Sequence, residues 1–500
     1  MINRRQRFGI DGYKPPKQRP EERIRNFNEV YQGYTAEQAM EQAQRCMYCE
    51  HAPCSSGCPL HNDVPAALFC ISQGDFAGAA RKFMETSNFP DVCGRICPQD
   101  KQCEGQCILL GASNKIAVCI GKLEAFVMDY VRKNGGYPMR EKEAPTGMKV
   151  AIVGAGPAGL AVAEELTVKG HDCTCFDMWP TPGGLMLYGI PNFKLTKEII
   201  LAKAEYLRDM GVKFVGNYRV GKDRPVDEFL KRGYDLVFLG YGAIKGTVMK
   251  IPGEDKLRNV YQATEYLVRG NIPRHLLPED WAAEPDPRPH HTGRTLVIGG
   301  GDTACDCLRT ARRLNPDAET ICLYRRSEKE MPGRIEERVH ALEEGAKIEY
   351  LTAPFQFIGN EKGEVCAAEC IRMKLGAPDA KGRRSPVPVE GSNYVVECDT
   401  VVLAIGYSPE TEIPDTTENL KTTSWGSVWV QTEETGRTSR EEIWAAGDNV
   451  HGADLVVTAV AAARRAADDM HEKLVDLKRR REVATRVTSM PQPVSVNPAA

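Results

Sequence analysis

Residues 149–159 have the sequence Lys149-Val-Ala-Ile-Val-Gly154-Ala-Gly156-Pro157-Ala158-Gly159, and the run Leu-Ala-Val-Ala-Glu-Glu-Leu follows directly. This pattern predicts a strand, a Gly-x-Gly-x-x-Gly turn and a helix. Gly154 would allow the tight turn, and Gly156 would let a pyrophosphate approach the backbone. Gly159 would let the helix pack closely on the strand. A second strand ends about 20 residues on at Asp177, where a carboxylate accepts a ribose hydroxyl. The alternative is a glycine-rich turn that is merely tight, but the flanking elements favour a dinucleotide site.

A second fingerprint follows the apolar run that begins at Thr295. Its turn and helix start comprise Gly299, Gly300, Gly301, Asp302, Thr303 and Ala304, with Ala304 in the third small position. The next strand ends in Arg325-Arg326 rather than in an acid. Two guanidiniums would pair with a 2′-phosphate, whereas an acid would repel it. The second ligand is therefore predicted to be NADP(H) rather than NAD(H), against the alternative of a solvated basic strand end.

Two dinucleotide domains in one chain imply hydride transfer between a nicotinamide and a flavin. FAD is assigned to the first site because later sequence returns to it. The strand at Trp444 ends in the turn Gly447-Asp448, where Asp448 can bond the flavin ribityl chain or pyrophosphate. The helix predicted from Leu455 to Met470 carries Thr458, a further candidate, and its N-terminus could stabilise a reduced flavin.

Two further glycines predict how the domains are connected. Gly242 and Gly406 each follow an apolar strand and indicate the two crossover turns between domains. Strands and helices alternate along this part of the chain, which predicts parallel sheets. The expected fold is α/β, with an NADPH domain inserted in a split FAD domain.

Eight of the eighteen cysteines form two spaced runs near the N-terminus. The runs are Cys46-x2-Cys49-x4-Cys54-x3-Cys58 and Cys93-x3-Cys97-x5-Cys103-x3-Cys107, with proline after Cys58 and Cys97. A disulfide framework is disfavoured, because no secretory signal is visible and intracellular thiols stay reduced. Two [4Fe–4S] clusters are predicted, since each takes four ligands and often borrows one from the other run. Structural zinc is the alternative, but zinc has no use for electrons.

Four other cysteines raise the possibility of a dithiol flavoenzyme. Cys305 and Cys307 are two positions apart on a predicted helix and point to different faces. Cys173 and Cys175 share one face of a strand. In both pairs, packed core thiols are the better interpretation.

The composition narrows the classes of function. Apolar residues make up 42% of the 500 residues, charged residues 27%, and the net charge is −3, which gives no argument for a nucleic-acid or membrane partner. No run of 18 apolar residues is present, and the protein is expected to be cytoplasmic. The predicted segments are an arm (1–34), a helical iron–sulfur domain (35–147), the FAD domain in two parts (148–286 and 408–476), the NADPH domain (287–407) and a disordered tail (477–500).

Several motifs, in order from about residue 20 to 475, resemble the small (β) subunit of bacterial NADPH-dependent glutamate synthase. They include Cys46 to Cys58-Pro and both glycine fingerprints, and the others are Asn88-Phe-Pro-Asp-Val-Cys-Gly-Arg-Ile-Cys-Pro, Gly183-Gly184-Leu185-Met-Leu-Tyr-Gly-Ile-Pro, Leu323-Tyr-Arg-Arg and Ala445-Ala-Gly-Asp-Asn-Val. The architecture is shared with the N-terminal half of dihydropyrimidine dehydrogenase. The resemblance adds Gly184 and Leu185 to the cofactor-binding candidates.

The resemblance also implies a ligand set for each cluster. One cluster would be held by Cys46, Cys49, Cys54 and Cys107. The other would take Cys58, Cys97 and Cys103 plus a fourth ligand. That position is a glutamine in dihydropyrimidine dehydrogenase and matches Glu124 here; Cys93 is the rival, and we favour Glu124 slightly.

The function implied is electron input from NADPH to a large (α) subunit that carries FMN and makes glutamate from glutamine and 2-oxoglutarate, in a hetero-oligomer. No catalytic acid or base is expected, because hydride transfer to a flavin requires none. The alternatives are the corresponding subunit of a ferredoxin-linked transhydrogenase or of a pyrimidine reductase, and, from another class, a zinc-stabilised scaffold that binds nucleotides for regulation.

Overall fold

Helices form the cysteine-rich N-terminal region of the computed structural model, which describes residues 3–112, 115–221, 224–378, 382 and 384–489. These helices are α1 (Arg4–Gly9), α2 (Pro20–Arg23), α3 (Ala36–Gln44), α4 (Pro53–Ser56), α5 (Val64–Ser72), α6 (Phe76–Met84), α7 (Pro90–Ile96) and α8 (Ile120–Lys133). Thr35 caps α3, and its hydroxyl and the Gln38 side chain form a reciprocal capping box. Thr35 followed three residues later by Gln38 is the sequence pattern of such a helix start, and α3 begins there.

A parallel sheet follows the helical region. Its first part contains β1 (Lys149–Val153), α9 (Pro157–Val168), β2 (Asp172–Phe176), α10 (Gly184–Tyr188), α11 (Lys197–Met210), β3 (Lys213–Val215), α12 (Asp227–Lys231) and β4 (Leu236–Leu239). Strand β1 lies between β2 and β4, and β3 pairs with β2. The apolar side chains of β1 and β4 are buried, so this sheet lies in the core. Burial on both faces is expected of a parallel sheet, because helices cover its two sides.

The next segment builds a second parallel sheet and an antiparallel one. Its elements are β5 (Lys245–Gly246), β6 (Val260–Gln262), α13 (Ala263–Asn271), α14 (Glu279–Ala282), β7 (Thr295–Ile298), α15 (Asp302–Leu314), β8 (Thr320–Tyr324), α16 (Ile335–Glu343), β9 (Lys347–Tyr350), β10 (Thr352–Gly359), β11 (Val365–Pro378), β12 (Arg384–Pro388), β13 (Tyr394–Glu397), β14 (Thr400–Leu403) and β15 (Tyr407–Ser408). The parallel order is β6-β14-β7-β8-β9, and β10 to β13 form the antiparallel sheet.

Two expectations about this segment are wrong. The predicted boundary at residues 286/287 is too late, because β6 belongs to the second sheet and pairs with β14. A strand of three residues is too short to show a hydrophobic period in the sequence. The antiparallel strands β10 to β13 also interrupt the alternation of strands and helices that was expected throughout.

The chain then returns to the first sheet through α17 (Glu412–Asp415), β16 (Ile443–Ala445), α18 (Asp448–His451) and α19 (Val456–Ser489). Strand β16 pairs with β4, so the second dinucleotide domain is inserted in the first, as predicted. Gly242 and Gly406 precede β5 and β15, which pair with each other. The two crossovers therefore run side by side as a short ribbon.

The two ends of the chain differ from the expectation. Helix α19 continues to Ser489, so residues 477–489 are helical and not disordered; residues 490–500 lie outside the described residues. The N-terminal arm contains α1 and α2 and lies against the second dinucleotide domain. There the guanidinium of fully buried Arg23 contacts Glu344 (Nε to Oε1, 2.7 Å) and Glu343 (2.8 Å). No helix in the described part of the chain is long and apolar enough to cross a membrane.

Candidate functional site

The first glycine fingerprint forms a turn that only glycine fits. Gly154 has φ +96°, in the region that disfavours side chains. A Cβ on Gly159 would lie 1.9 Å from the Gly154 carbonyl oxygen, so α9 packs on the turn only because residue 159 has no side chain. Gly184 approaches the same turn, and a Cβ there would lie 2.6 Å from the Gly156 Cα. A Cβ on Gly156 itself would meet the Gly184 Cα only at 3.8 Å, so the Gly156 backbone is less crowded and can be approached by a ligand.

This turn opens into a cavity of about 410 Å³ between the two dinucleotide domains. The cavity brings together many of the residues predicted from the sequence: Gly154, Gly156, Pro157, Ala158, Asp177, Gly184, Leu185, Gly242, Asp302, Thr303 and Asp448. Most of the exposed lining is apolar, as is usual for cofactor sites. Its size and position suit a flavin whose reactive ring meets a nicotinamide from the other domain.

Two carboxylates in the cavity have distinct surroundings. Asp177 accepts hydrogen bonds from the backbone N–H groups of Ala155 (2.6 Å) and Trp179 (2.9 Å), which fixes its orientation. Burial raises the pKa of Asp177 above its usual value despite these bonds. Burial, with the nearby charge of Asp454, raises the pKa of Asp448 to about 7. Within the part of the chain that the structure describes, Asp448 thus lines the cavity with no paired cation to hold it ionised.

Other predicted residues of the FAD site lie just outside the cavity lining. The Thr458 hydroxyl oxygen lies within hydrogen-bond distance of two acceptors, Asp454 Oδ2 (2.9 Å) and the Leu455 carbonyl oxygen (2.7 Å), so a hydrogen bond to either one orders the start of α19. Gly447 has φ +83°, and a Cβ there would lie 3.0 Å from Ala158 Cβ. Gly406 also has a positive φ, and its neighbour Tyr407 reaches the cavity.

The second fingerprint has the same turn shape with a more open face. A Cβ on Gly299 would lie 2.2 Å from the Ala404 carbonyl oxygen, whereas nothing lies within 4 Å of one on Gly301. Ala304 is buried under the turn. Arg325 is exposed, and Arg326 is partly buried. The Nε of Arg326 is buried and has no hydrogen-bond partner within the described residues, so no protein acceptor holds the guanidinium at this nitrogen.

Four cysteines surround one small cavity in the helical domain. Cys46, Cys49, Cys54 and Cys107 line a space of about 30 Å³ together with apolar residues such as Leu68 and Ile108. Burial raises the pKa of the Cys46 thiol to about 12 and that of Cys54 to about 11, and the neighbouring cysteines act in the same direction. Metal coordination deprotonates such thiols. The structure thus places together the four residues expected to hold one cluster.

The remaining cysteines of the two runs form a second group with Glu124. Burial raises the pKa of Cys58 and of Cys103, and the Glu124 carboxylate adds to both shifts. The neighbouring Cys97 thiol, together with burial, raises the pKa of Cys93. Asn62 Nδ2 donates to Glu124 Oε1 at 3.4 Å, and no ion pair with Glu124 occurs among the described residues. Both candidates for the fourth ligand therefore lie in the group.

The alternatives for the cysteines fit the structure less well. Over the described ranges, no three His, Cys, Asp or Glu side chains are grouped so as to hold a single metal ion, whereas zinc needs four ligands within about 2.3 Å of one point. Cys173 and Cys305 are buried, and burial raises the pKa of each thiol to about 12. Cys175 and Cys307 are buried too, and none of these four lines the large cavity. They are core thiols.

Two family models match the chain. The description "dihydropyrimidine dehydrogenase domain II, 4Fe-4S cluster" matches residues 23–136, and "pyridine nucleotide-disulphide oxidoreductase" matches residues 148–463. The glutamate synthase [NADPH] small chain of Azospirillum brasilense is 38% identical over 460 residues, which cover 91% of this chain and 93% of that one. The chain belongs to the glutamate synthase small-chain family.

The family extends beyond glutamate synthases. The putative oxidoreductase AegA of Escherichia coli is 39% identical over 457 residues, covering 91% of this chain and 68% of that one. Among solved structures, FprA of Mycobacterium tuberculosis in complex with NADPH has a TM-score of 0.54 at 20% identity, covering 68% of this chain and 89% of that one. That likeness concerns the fold alone.

The residues present fit the groups that this family implies. The glycine turn around Gly156 suits the FAD pyrophosphate, the guanidiniums of Arg325 and Arg326 at the end of β8 suit the 2′-phosphate of NADPH, and the two groups of thiols suit iron–sulfur clusters. Among the residues of this cavity that sequence reasoning missed, three are charged and joined by ion pairs: Lys194, Asp306 and Arg334. Their ion pairs join segments far apart in the chain, such as Lys194 Nζ with Asp306 Oδ1 (2.8 Å), so no local pattern marks them.

Proposed function

We propose that this chain is the NADPH-oxidising, electron-input subunit of a glutamate synthase. The observation that carries the proposal is the position of Cys97. This residue, a candidate ligand of the second cluster, lines the same cavity as Gly156 of the first fingerprint and Thr303 of the second. When bound, FAD would accept the hydride of NADPH and two [4Fe–4S] clusters would carry single electrons onward.

The residues of the chain bind and orient in this proposal. Arg326 and Arg325 hold the 2′-phosphate, and the turns at Gly156 and Gly301 receive the two pyrophosphates. Asp177, fixed by two backbone N–H groups, keeps acceptor lone pairs for a ribose hydroxyl. The apolar lining of the cavity excludes water from the reacting rings. No side-chain acid or base is assigned a catalytic role.

The acceptor of the electrons is proposed to be a large (α) subunit that carries FMN and makes glutamate from glutamine and 2-oxoglutarate, in a cytoplasmic hetero-oligomer. The names of the small-chain relatives support this choice. The similarity to AegA supports a second candidate, in which the same NADPH-oxidising unit supplies a different acceptor.

The test is NADPH oxidation by the anaerobically purified chain with a candidate large subunit. We expect oxidation to require the large subunit and both substrates, and glutamate to accumulate in proportion. Reduction of an artificial acceptor without coupling to that subunit would favour the second candidate. A preparation without flavin or iron–sulfur absorbance would contradict both and revive the zinc-stabilised scaffold.

A further inference from the structure

Arg334 connects the NADPH-binding turn to the iron–sulfur domain. It lies in the loop between β8 and α16, and its Nε contacts Asp302 Oδ2 at 2.7 Å. Its backbone N–H donates to Asp302 Oδ1 at 2.8 Å. On its other side, Nη1 donates to the carbonyl oxygen of Cys97 at 3.5 Å. One guanidinium therefore contacts the first residue of α15 and a candidate cluster ligand.

The loop that carries Arg334 is seated on the glycine turn. The Gly333 N–H donates to the Gly300 carbonyl at 3.0 Å, and a Cβ on Gly333 would lie 3.0 Å from that oxygen and 3.2 Å from the Gly301 carbonyl carbon. Asp302 stands at the helix N-terminus where a pyrophosphate is expected to bind. Arg334 neutralises this carboxylate, which would otherwise repel the phosphates.

Arg334 also belongs to a network of buried ion pairs. Arg334 Nη2 lies 3.4 Å from Glu337, which pairs with Arg309 and with Lys194 (3.7 Å), and Lys194 pairs with Asp306. Arg309 continues the network to Glu344, which also pairs with Arg23 and Arg313. Removing the Arg334 charge makes the part of the network that contacts Cys97 more negative by one unit. Because a cluster becomes more negative on reduction, that change makes its reduction harder.

We propose that Arg334 is a positioning residue with two effects. It raises the reduction potential of the cluster held through Cys97, and it pairs with Asp302 so that no unpaired carboxylate lies at the glycine turn expected to bind NADPH. The inference rests on the proposed function, since it places NADPH at the second fingerprint and a cluster on Cys97. It adds the residue through which these two sites are joined.

The test compares Arg334→Gln and Arg334→Lys with a matched control, Arg338→Gln. Arg338 lies on α16, four residues after Arg334, and contacts Glu328 rather than Asp302 or Cys97. Each purified holoprotein is titrated electrochemically and followed by electron paramagnetic resonance, and KM and kcat for NADPH are measured with an artificial acceptor. The second cluster is the one whose signal changes in Cys103→Ser.

For Arg334→Gln we expect the reduction equilibrium of the second cluster to fall about tenfold, which is about 59 mV for one electron. The first cluster keeps its potential, and KM for NADPH rises more than kcat falls. Arg334→Lys keeps most of the cluster potential because it keeps the charge, and Arg338→Gln resembles the wild type.

Unchanged potentials in Arg334→Gln, equal shifts of both clusters, or the same shift in Arg338→Gln would overturn the inference. The wild type separates this failure from failure of the proposed function. If NADPH bleaches its flavin and dithionite reveals two clusters, only the role of Arg334 is in question. A wild type without clusters overturns both.

Discussion

Arg326 provides the sharpest test of how the chain selects NADPH. Its buried Nε has no hydrogen-bond partner within the described part of the chain, while Arg325 beside it is exposed. A hydrogen bond to a charged group contributes about 1.5–3 kcal/mol, and every 1.4 kcal/mol is tenfold. Loss of one such bond in Arg326→Gln should therefore lower kcat/KM for NADPH between about 10-fold and about 150-fold.

The neighbouring arginine serves as an internal comparison. An exposed ion pair is worth about 0.2–1 kcal/mol, because solvent screens it, so Arg325→Gln should cost no more than about 5-fold. NADH has no 2′-phosphate, and kcat/KM for NADH should stay within about 2-fold of the wild type in both variants. Arg258→Gln, at an exposed ion pair with Glu364 in the same domain, controls for general damage.

The assay is steady-state reduction of an artificial acceptor with each nucleotide, at fixed ionic strength because salt weakens phosphate contacts. An equal loss with NADPH and NADH in Arg326→Gln would refute the assignment of the 2′-phosphate to this side chain. A loss in Arg325→Gln as large as that in Arg326→Gln would refute the reasoning from burial.

Four further outcomes are expected. Glu124→Ala should lower the iron content from about eight to about four atoms per chain, as measured by iron analysis. Cys93→Ser should keep both clusters, and the reverse pattern would make Cys93 the ligand. Gly159→Ala should destabilise the protein by about 1–3 kcal/mol through overpacking and should release FAD. Urea unfolding and flavin fluorescence measure the two effects. An unchanged unfolding midpoint would contradict the distance of 1.9 Å between a Cβ at residue 159 and the Gly154 carbonyl oxygen. Burial raises the pKa of Asp448 to about 7, so its ionisation costs the folded protein increasing stability from about pH 4 to pH 7. Asp448→Asn should therefore become more stable than the wild type across that window, by up to about 4 kcal/mol at pH 8. A stability gain that is equal at pH 4 and pH 8 would exclude the carboxyl group as its source. Arg23→Ala should cost about 3–5 kcal/mol because it breaks a buried pair, and a change below about 1 kcal/mol in calorimetry would show that Arg309 and Arg313 suffice for Glu344.

Local patterns in the sequence predicted the parts of the fold that local physics determines. Gly154 and Gly159 occur where a tight turn must contact a helix, so their spacing alone predicted β1 and α9. The cap at Thr35 was predictable for the same reason. The cysteine runs predicted two metal groups, because ligand spacing along the chain is itself local.

What the sequence did not predict depends on contacts between distant segments. Strand β6 has three residues, and only its pairing with β14 makes it part of a sheet. Residues 477–489 are polar and basic, yet the helix that begins in the core extends through them, supported by pairs such as Asp476 with Arg480 (2.8 Å). Arg334 carries no motif, because its partner Cys97 is 237 residues away.

The contact between Arg23 and Glu344 has a consequence for the order in which the chain folds. The two residues are 321 positions apart. At a synthesis rate of roughly 5–20 residues per second, Glu344 leaves the ribosome about 16–64 s after Arg23. During that interval the arm has no ionic partner for a guanidinium that ends fully buried. The iron–sulfur domain can fold first, but the N-terminal arm can form this buried ion pair only after the inserted domain has been synthesised.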